Sequence, residues 1–390
     1  MKNHPATPES RSPAADPGSP RHAPPDHDKP RIIAVGMSGG VDSTMAALLL
    51  KQAGYQVIGL TMSIWDGSVP LTASGASGCF GPGEAQDIEK AQQNARRIGI
   101  PHEVITLAGE YRRNVLDYFC AEYRCGRTPN PCVVCNQRMK FGLLPDRARA
   151  QGIRFDRFAT GHYVRIRHDP DTGLRHLYRG IDRTKDQSYF LARLTQQQLA
   201  GLMFPLGEYR KQEIVTLARD HGFQDTADEP ESQDFIESDD YSPLFNAEDS
   251  GPGPIIDLEG KVLGEHRGII HYTIGQRGGL GISAGTRLYV KELRAQTNTV
   301  VLAPRDALYS HGMRIDRAHW IAARPENDFE CNIQLRYRHR SIPARLQWIE
   351  HDRWQVAFQE PQFAVTPGQT AVCYHDDECL GGAWIEKALD

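Results

Sequence analysis

A glycine-rich turn stands between the first predicted strand and the first predicted helix. Its residues are Gly36-Met37-Ser38-Gly39-Gly40-Val41-Asp42-Ser43. The adjacent glycines let backbone N–H groups turn inward, the helix N-terminus adds partial positive charge, and two serine hydroxyls add donors. The turn therefore predicts a pocket for an anion with several oxygens, with Asp42 as the candidate Mg²⁺ ligand. The lysine of the Walker loop is missing, and a plain strand–helix turn is the alternative interpretation.

Two cysteines at CxxC spacing follow a later predicted helix. They lie in the segment Thr128-Pro129-Asn130-Pro131-Cys132-Val133-Val134-Cys135-Asn136, where the prolines favour an extended entry. Such a pair can share a metal, form a redox couple, supply a nucleophilic thiolate or be purely structural. Four cations in the neighbouring sequence favour the thiolate: Arg124, Arg127, Arg138 and Lys140.

Strands that alternate with helices must position these two segments. Apolar patterning predicts strands at 31–36, 55–64, 102–107 and 158–166, and helices after residue 41, at 84–98 and at 111–124. This order indicates an α/β domain with a parallel sheet. After about residue 230 short alternating stretches predict a small mainly-β central domain and a C-terminal β-barrel. We expect a disordered tail at 1–29, which could also dock a partner, and domains at 30–230, 231–298 and 299–390.

Composition narrows the class of protein. The chain has 390 residues, 39% hydrophobic and 24% charged, with a formal net charge of -4, which is typical of a globular enzyme. No apolar run approaches the ~20 residues that span a bilayer, so we expect no membrane partner and a cytoplasmic location. Eight cysteines in a chain this long do not indicate a disulfide framework. A local basic cluster is compatible with RNA binding: Arg336, Arg338, His339, Arg340 and Arg345.

The chain resembles a known enzyme family in several separate motifs. The glycine-rich turn resembles the SGGxDS signature of the ATP-pyrophosphatase (PP-loop) superfamily, which cleaves ATP between the α and β phosphates. From Arg31 onward the chain is similar to tRNA-specific 2-thiouridylases of the MnmA/TrmU type. The motifs that carry this resemblance are GMSGGVDS at 36–43, RTPNPCVVCNQRMKFG at 127–142, FATGHY at 158–163, KDQSYFL at 185–191, FPLGEYRKQEI at 204–214, YTIGQRGGLGI at 272–282, LRYRH at 335–339 and TPGQ at 366–369.

This resemblance implies an activity, cofactors and partners. The activity is ATP-dependent 2-thiolation of the wobble uridine (position 34) of tRNA through an adenylated base, with release of AMP and pyrophosphate. ATP and Mg²⁺ are the implied cofactors, and a cysteine desulfurase relays the sulfur. The fold implied is an adenine nucleotide alpha-hydrolase-like domain followed by the two β domains.

The resemblance also implies roles for individual residues. ATP binding falls on Gly36, Met37, Ser38, Gly39, Gly40, Val41, Asp42, Ser43, Met62 and Gly161. The target base meets Asn130, Pro131 and Cys132, and Cys135 matches the nucleophile. The residues implied to contact tRNA are His162, Lys185, Asp186, Gln187, Arg336, Tyr337 and Gln369.

Two positions depart from the commonest family pattern. Many members carry Asp at the position of Cys132 and a second essential cysteine in a segment resembling ESQDICF. The corresponding segment here is ESQDFIE at 231–237, without a cysteine. Cys132 could replace the missing partner. Alternatively, three thiolates from Cys79, Cys132 and Cys135 could hold a 4Fe-4S cluster with one iron free to bind sulfide.

Other functions stay open at this level. Another adenylating ligase or amidotransferase of the superfamily is one, and a non-catalytic RNA-binding protein is another. Sulfur transfer also makes a spatial demand, because the glycine-rich turn and the thiol of Cys135 must face a common cavity.

Overall fold

The computed structural model describes residues 31–71, 78–229, 234–238, 240–283 and 285–390. The tail predicted at 1–29 lies outside these ranges. Within them, no helix combines the length and apolar character that a membrane crossing requires.

The first part of the chain alternates strands with helices. Its elements in chain order are β1 Ile32–Gly36, α1 Val41–Gln52, β2 Gln56–Ser63, β3 Gly78–Phe80, α2 Glu84–Ile98, β4 His102–Thr106, α3 Ala108–Tyr111, a π-helix Arg112–Leu116, α4 Asp117–Arg124, α5 Pro131–Val134, a π-helix Cys135–Leu143, α6 Leu144–Ala150, β5 Arg157–Ala159, β6 Val164–His168, β7 Arg175–Arg179, α7 Ser188–Leu191, α8 Gln196–Ala200, β8 Leu202–Met203, α9 Lys211–Asp220 and α10 Gln224–Ala227.

Five of these strands form the parallel sheet that the alternation predicts. Their order is β4-β2-β1-β5-β8, and each neighbouring pair is parallel. Two apolar clusters form around the sheet, and Ile33 and Val35 of β1 belong to one while Ala34 belongs to the other. This alternation explains the continuous apolar run in β1, because a strand covered on both faces has no solvent side. The α/β prediction is confirmed.

The single strand predicted at 158–166 is wrong. The structure breaks it after Ala159, where β5 leaves the parallel sheet, and β6 begins at Val164 in a different, antiparallel sheet. Between them Gly161 packs against the backbone of Asp42, and His162 is buried. A pattern of apolar residues cannot distinguish one strand from two short ones separated by a functional turn.

The middle of the chain forms a four-stranded sheet. Its strands are β10 Gly253–Ile256, β11 Val262–His266, β12 Leu288–Arg294 and β13 Thr299–Pro304, in the order β11-β10-β13-β12. Short 3-10 turns surround it at Ser242–Leu244, Ala247–Ser250, Ile269–His271, Ala295–Thr297 and Arg305–Leu308. The predicted division between residues 298 and 299 falls between two hydrogen-bonded strands, β12 and β13. The division that keeps this sheet intact comes after Pro304.

The boundary predicted after residue 230 lies outside the described residues, and the first described strand beyond it is paired with the first domain. The strand β9 Asp234–Ile236 is parallel to β3, with Gly78 opposite Asp234 and Phe80 opposite Ile236. These residues are therefore attached to the first domain.

The C-terminal part closes into a barrel. Its six strands are β14 Tyr309–Trp320, β15 Phe329–Gln334, β16 Ile342–Glu350, β17 Arg353–Phe363, β18 Thr370–His375 and β19 Glu378–Leu389. They pair in the order β14-β17-β16-β15-β18-β19, and β14 also pairs with β19, which closes the ring. The hairpin β6–β7 of the first domain extends this sheet through β19. The interior of the six-stranded barrel includes Trp354, Met313 and Ile333, all fully buried. The predicted C-terminal β-barrel is confirmed.

Candidate active site

The glycine-rich turn connects β1 to α1 at the carboxyl edge of the parallel sheet. Gly39 has φ 85°, a left-handed conformation that favours glycine. The Ser38 N–H donates to Ser43 Oγ at 3.2 Å, and Ser43 Oγ donates to the Gly40 carbonyl at 3.1 Å. Gly40 begins α1 without a capping side chain, so the first N–H groups of this helix are directed at whatever occupies the turn. The Ser38 N–H and the Ser43 hydroxyl are engaged within the turn, and its binding of an anion stays a prediction.

Asp42 is held by two side chains from distant parts of the chain. The Tyr163 hydroxyl donates to Asp42 Oδ1 at 2.7 Å, and the ammonium of Lys211 lies 2.8 Å from both carboxylate oxygens. Lys211 is the first residue of α9, and its backbone N–H donates to Asp182 at 3.0 Å. Lys211 thus forms an ion pair with the carboxylate that was predicted to hold Mg²⁺. The role of Asp42 as a Mg²⁺ ligand stays a prediction.

Two other predicted nucleotide-site residues border the turn. A Cβ on Gly161 would lie 2.6 Å from the carbonyl carbon of Asp42 and 2.8 Å from the Ser43 nitrogen, so glycine is needed for this approach. Met62 lies near the end of β2, half-buried against the apolar core. Both residues lie at the carboxyl ends of sheet strands or just after them, which is the edge where ligands bind in parallel sheets.

The two cysteines of the CxxC segment lie on consecutive helical turns. Asn130 caps α5 by accepting the Val133 N–H at 3.3 Å, and Pro131 is the first helical residue, as is typical of a helix start. Cys132 lies in α5, and Cys135 begins the nine-residue π-helix. Both thiols are free and half-buried. Residues three apart on a helix face the same side, so the two sulfurs are neighbours.

The cysteine thiols are protonated at neutral pH. Withdrawal from water, opposed in part by Lys140, raises the pKa of Cys135 to about 12. Withdrawal from water also raises the pKa of Cys132, and the nearby thiols of Cys79 and Cys135 add to the effect. A thiol is a much weaker nucleophile than a thiolate. In this state neither residue is activated for attack, in contrast to the prediction that neighbouring cations favour the thiolate.

The charge of Lys140 acts on both Cys135 and His162. It lowers the pKa of Cys135 and, after burial, is the second cause that lowers the pKa of His162. His162 directly follows Gly161, hydrogen-bonds Thr160 Oγ1 at 2.8 Å, and lies 5.5 Å from the ring of Phe141 in the π-helix. One cation therefore acts on both segments that the sequence predicted to cooperate. This packing supports the expectation that they share a cavity.

Cys79 lies on β3, beside the segment in which many family members carry a second cysteine. It is exposed and stands in register with Phe235 of β9, while Ile236 is fully buried. Across the described ranges no three His, Cys, Asp or Glu side chains form a group that could hold a metal ion. The thiol of Cys79 nevertheless affects the pKa of both Cys132 and Cys135, and the 4Fe-4S site on these three cysteines stays a prediction.

The KDQ segment predicted to contact tRNA is largely turned inward. Asp186 is buried, and its carboxylate accepts from the Arg179 guanidinium at 2.8 Å and from the Ser188 hydroxyl at 2.8 Å. Gln187 Oε1 accepts the Tyr163 N–H at 3.0 Å, and Lys185 is half-buried. Through Tyr163 this segment supports Asp42 of the glycine-rich turn. Its contact with tRNA stays a prediction.

The predicted tRNA contacts of the barrel are also engaged within the protein. Arg336 donates to the Ala364 carbonyl at 2.5 Å and to Thr366 Oγ1 at 2.7 Å, and burial lowers the pKa of its guanidinium. Tyr337 packs 4.3 Å from the ring of Phe190. By contrast, the remaining members of the basic cluster are exposed: Arg338, His339, Arg340 and Arg345. These exposed residues are better placed to meet phosphates than Arg336.

Sequence reasoning missed several residues of the site. Lys211 and Tyr163 stood inside quoted motifs but received no role, and Asn94, whose amide donates to the Gly39 carbonyl at 3.0 Å, lay outside them. Glu84 accepts the N–H groups of Ile64 at 2.6 Å and Trp65 at 2.9 Å, which fixes the chain where it leaves β2. Of these residues, only Lys211 and Tyr163 could have been identified from the sequence, because they lie within motifs of the resemblance.

Family comparisons agree with this architecture. Residues 31–237 match the family described as the tRNA methyl transferase HUP domain, residues 245–304 its PRC-barrel domain, and residues 310–385 the aminomethyltransferase beta-barrel domain. A 4-thiouridine synthetase in an RNA complex with bound ATP is 15% identical and covers 51% of this chain and 42% of that one, with a TM-score of 0.32, too low to add to the argument.

Two curated relatives cover nearly the whole chain. The tRNA-specific 2-thiouridylase MnmA of Carboxydothermus hydrogenoformans is 43% identical across 92% of this chain and 98% of its own length. The protein of the same name from Geotalea uraniireducens is 44% identical across 93% of this chain and 97% of its own length. Since identity at this level extends through all three domains, the chain belongs to the tRNA-specific 2-thiouridylase MnmA family.

Proposed function

We propose that this chain uses ATP to replace the 2-oxygen of the wobble uridine in tRNA with sulfur, and that it releases AMP and pyrophosphate. The observation that supports the proposal is the packing of the π-helix that begins at Cys135 against the segment beside the glycine-rich turn. Phe141 of that helix lies 5.5 Å from the ring of His162, and the preceding residue, Gly161, packs against the backbone of Asp42. The relatives that match along the whole chain are named for thiolation of tRNA.

The nucleotide step uses the turn from Gly36 to Ser43. Backbone N–H groups of the turn and the first turn of α1 hold the phosphates of ATP. The 2-oxygen of the uridine attacks the α-phosphate, and the bond to pyrophosphate breaks. Asp42 is the residue to hold Mg²⁺, which would neutralise phosphate charge when bound.

The sulfur step uses Cys135 and Cys132. The terminal sulfur of a persulfide on Cys135 attacks C2 of the adenylated uridine, and AMP leaves with the former 2-oxygen. The uridine is then joined to Cys135 through a disulfide bond. The sulfur of Cys132 attacks the sulfur of Cys135, the bond to the uridine sulfur breaks, and the departing 2-thiouridine takes up the proton that Cys132 loses. The two thiols are oxidised to a disulfide, and an external thiol reductant restores them.

The partners follow from this chemistry. Unmodified tRNA is the substrate, and a cysteine desulfurase relay in the cytoplasm supplies the persulfide sulfur. The exposed arginines Arg338, Arg340 and Arg345 offer charge for the RNA backbone.

Two cysteine variants test the proposal. The protein is charged with persulfide and mixed with ATP and unmodified tRNA, and the products are measured by mass spectrometry. Cys135→Ser should abolish 2-thiouridine while tRNA binding persists. Cys132→Ser should accumulate tRNA joined to Cys135, whereas Cys125→Ser, at an exposed thiol, serves as the control. Thiolation retained in Cys135→Ser would refute the assignment of the nucleophile.

Pyrophosphate release and metal content separate the alternatives. Pyrophosphate that appears only with unmodified tRNA excludes both a non-catalytic RNA-binding protein and a ligase for small molecules. Anaerobic purification followed by iron and sulfide analysis tests the cluster hypothesis. Iron at cluster stoichiometry that disappears in Cys79→Ser would move the sulfur step from Cys132 to a cluster.

A further inference from the structure

A turn of the barrel is hydrogen-bonded directly to the segment that precedes α5, the helix that carries Cys132. The turn is Thr366–Thr370, immediately before and at the start of β18, and we call it the barrel turn. The side-chain amide nitrogen of Gln369 donates to the Thr128 carbonyl at 3.1 Å and to the Pro129 carbonyl at 3.0 Å. A carboxamide NH₂ has two hydrogens, so both donors of Gln369 are used within the protein.

The backbone of the barrel turn reinforces this contact. The Thr128 N–H donates to the Pro367 carbonyl at 2.9 Å. Gly368 has φ 89°, and a Cβ there would lie 2.9 Å from the Thr128 carbonyl oxygen and 3.0 Å from Cβ of Arg127. The two segments of the chain approach so closely that only glycine fits at position 368. Such an approach fixes the position of Thr128 relative to the barrel.

A second connection runs through Tyr189 of α7. Its buried hydroxyl donates to the Thr370 carbonyl at 2.8 Å and also hydrogen-bonds the side chain of Asn130. Asn130 is the residue that caps α5. The barrel turn is thus attached to three consecutive residues, 128 to 130, which directly precede the helix that carries Cys132.

We propose that Gln369 is a positioning residue for sulfur transfer. It holds the carbonyls of Thr128 and Pro129 so that the barrel sets the place of α5 and of the two thiols. The expected effect on thiolation rests on the proposed function, whereas the expected effect on the position of the thiols does not. It differs from the role implied by family resemblance, in which Gln369 contacts tRNA. A tRNA contact should affect binding, whereas a positioning role should affect the thiols even without tRNA.

The first experiment measures thiol reactivity in the full chain without ATP or tRNA. Gln369→Met keeps the length of the side chain and removes both donors. Gln362→Met in the same barrel is the matched control, because the Gln362 amide donates to the Glu360 carbonyl of its own strand in an exposed hydrogen bond. Iodoacetamide labelling is followed for each cysteine by peptide mass spectrometry. We expect labelling of Cys132 and Cys135 to accelerate by about threefold or more in Gln369→Met, because local opening exposes the thiols to water and reagent.

Cys373 and Cys379 supply an internal control, since both are buried in the barrel. Their labelling should stay at the wild-type rate, so a general loss of stability would be recognised. Wild-type labelling of Cys135 in Gln369→Met would overturn the inference, and so would equal acceleration at all buried cysteines. If Gln369→Met does not fold, Tyr189→Phe removes the second connection and carries the same expectation and the same refuting outcomes.

The second experiment separates the two roles during turnover. A positioning role predicts that kcat for thiolation falls by about tenfold in Gln369→Met while KM for tRNA changes by less than about twofold. A higher KM at unchanged kcat would assign Gln369 to tRNA contact instead. Because labelling needs no turnover, a failure of the inference is distinguishable from a failure of the proposed function. Absent thiolation in the wild type would refute the function alone.

Discussion

Replacement of Gly161 by alanine tests whether the turn from Gly36 to Ser43 binds ATP. The added Cβ would lie 2.6 Å from the carbonyl carbon of Asp42, 2.7 Å from its oxygen and 2.8 Å from the Ser43 nitrogen. These are backbone atoms, so no side-chain rotation can relieve the contact. Overpacking of this kind costs about 1–3 kcal/mol. If the turn relieves the contact by moving, its N–H groups lose their alignment with the phosphates.

That cost sets the size of the expected effect. A loss of the same 1–3 kcal/mol from ATP binding corresponds to a roughly 5- to 140-fold weaker Kd. Equilibrium dialysis with ATP, without tRNA, measures it directly. Gly201→Ala is the matched control, because its φ is -93° and its nearest neighbour would be the Gln198 carbonyl oxygen at 3.6 Å. Wild-type ATP affinity in Gly161→Ala would refute the placement of the nucleotide.

Three further predictions concern charges at the site. Lys211→Met should weaken ATP binding about tenfold, because it leaves the Asp42 carboxylate unneutralised beside the incoming phosphates; unchanged dialysis data would contradict this. Since the pKa of Cys135 is raised to about 12, its iodoacetamide labelling should accelerate roughly tenfold per pH unit from about pH 7 to 10 without a plateau. Lys140→Met removes a charge that lowers this pKa, so labelling of Cys135 at a given pH should become slower, and faster labelling would refute the role of that charge.

Much of the fold could be predicted because its signals are local. The helix at 84–98 has the predicted bounds, since its apolar residues Ile88, Ala91, Ala95 and Ile98 repeat at helical spacing and Gly99 ends it with φ 75°. The parallel sheet followed from alternation along the chain. The strand at 158–166 failed because nothing in its apolar pattern marks the turn at Gly161, whose necessity comes from the distant backbone of Asp42.

The site was only partly predictable for a related reason. The glycine-rich turn and the CxxC segment are contiguous motifs, but the pairing of Asp42 with Lys211 joins residues 169 positions apart. The charge of Asp186 suggests an exposed position, whereas the fold buries this residue beside Arg179. The carboxamide of Gln369 similarly meets its partners only after the barrel has closed against the first domain. Contacts of this kind depend on tertiary structure and produce no regular spacing in the sequence from which they could be predicted.

The π-helix explains how one cation reaches both halves of the site. In an α-helix, Lys140 would stand about 140° around the axis from Cys135, on nearly the opposite side. The π-helix pairs each N–H with the carbonyl five residues earlier, as Leu144 does with Met139, so a residue five positions on lies about one turn above. This winding places Lys140 nearer to the side of Cys135 than an α-helix would, in agreement with its effect on the pKa of Cys135, while the neighbouring Phe141 packs against His162. The helix beginning at Cys135 is therefore the element that connects the CxxC segment with His162, next to the residue that packs against the glycine-rich turn.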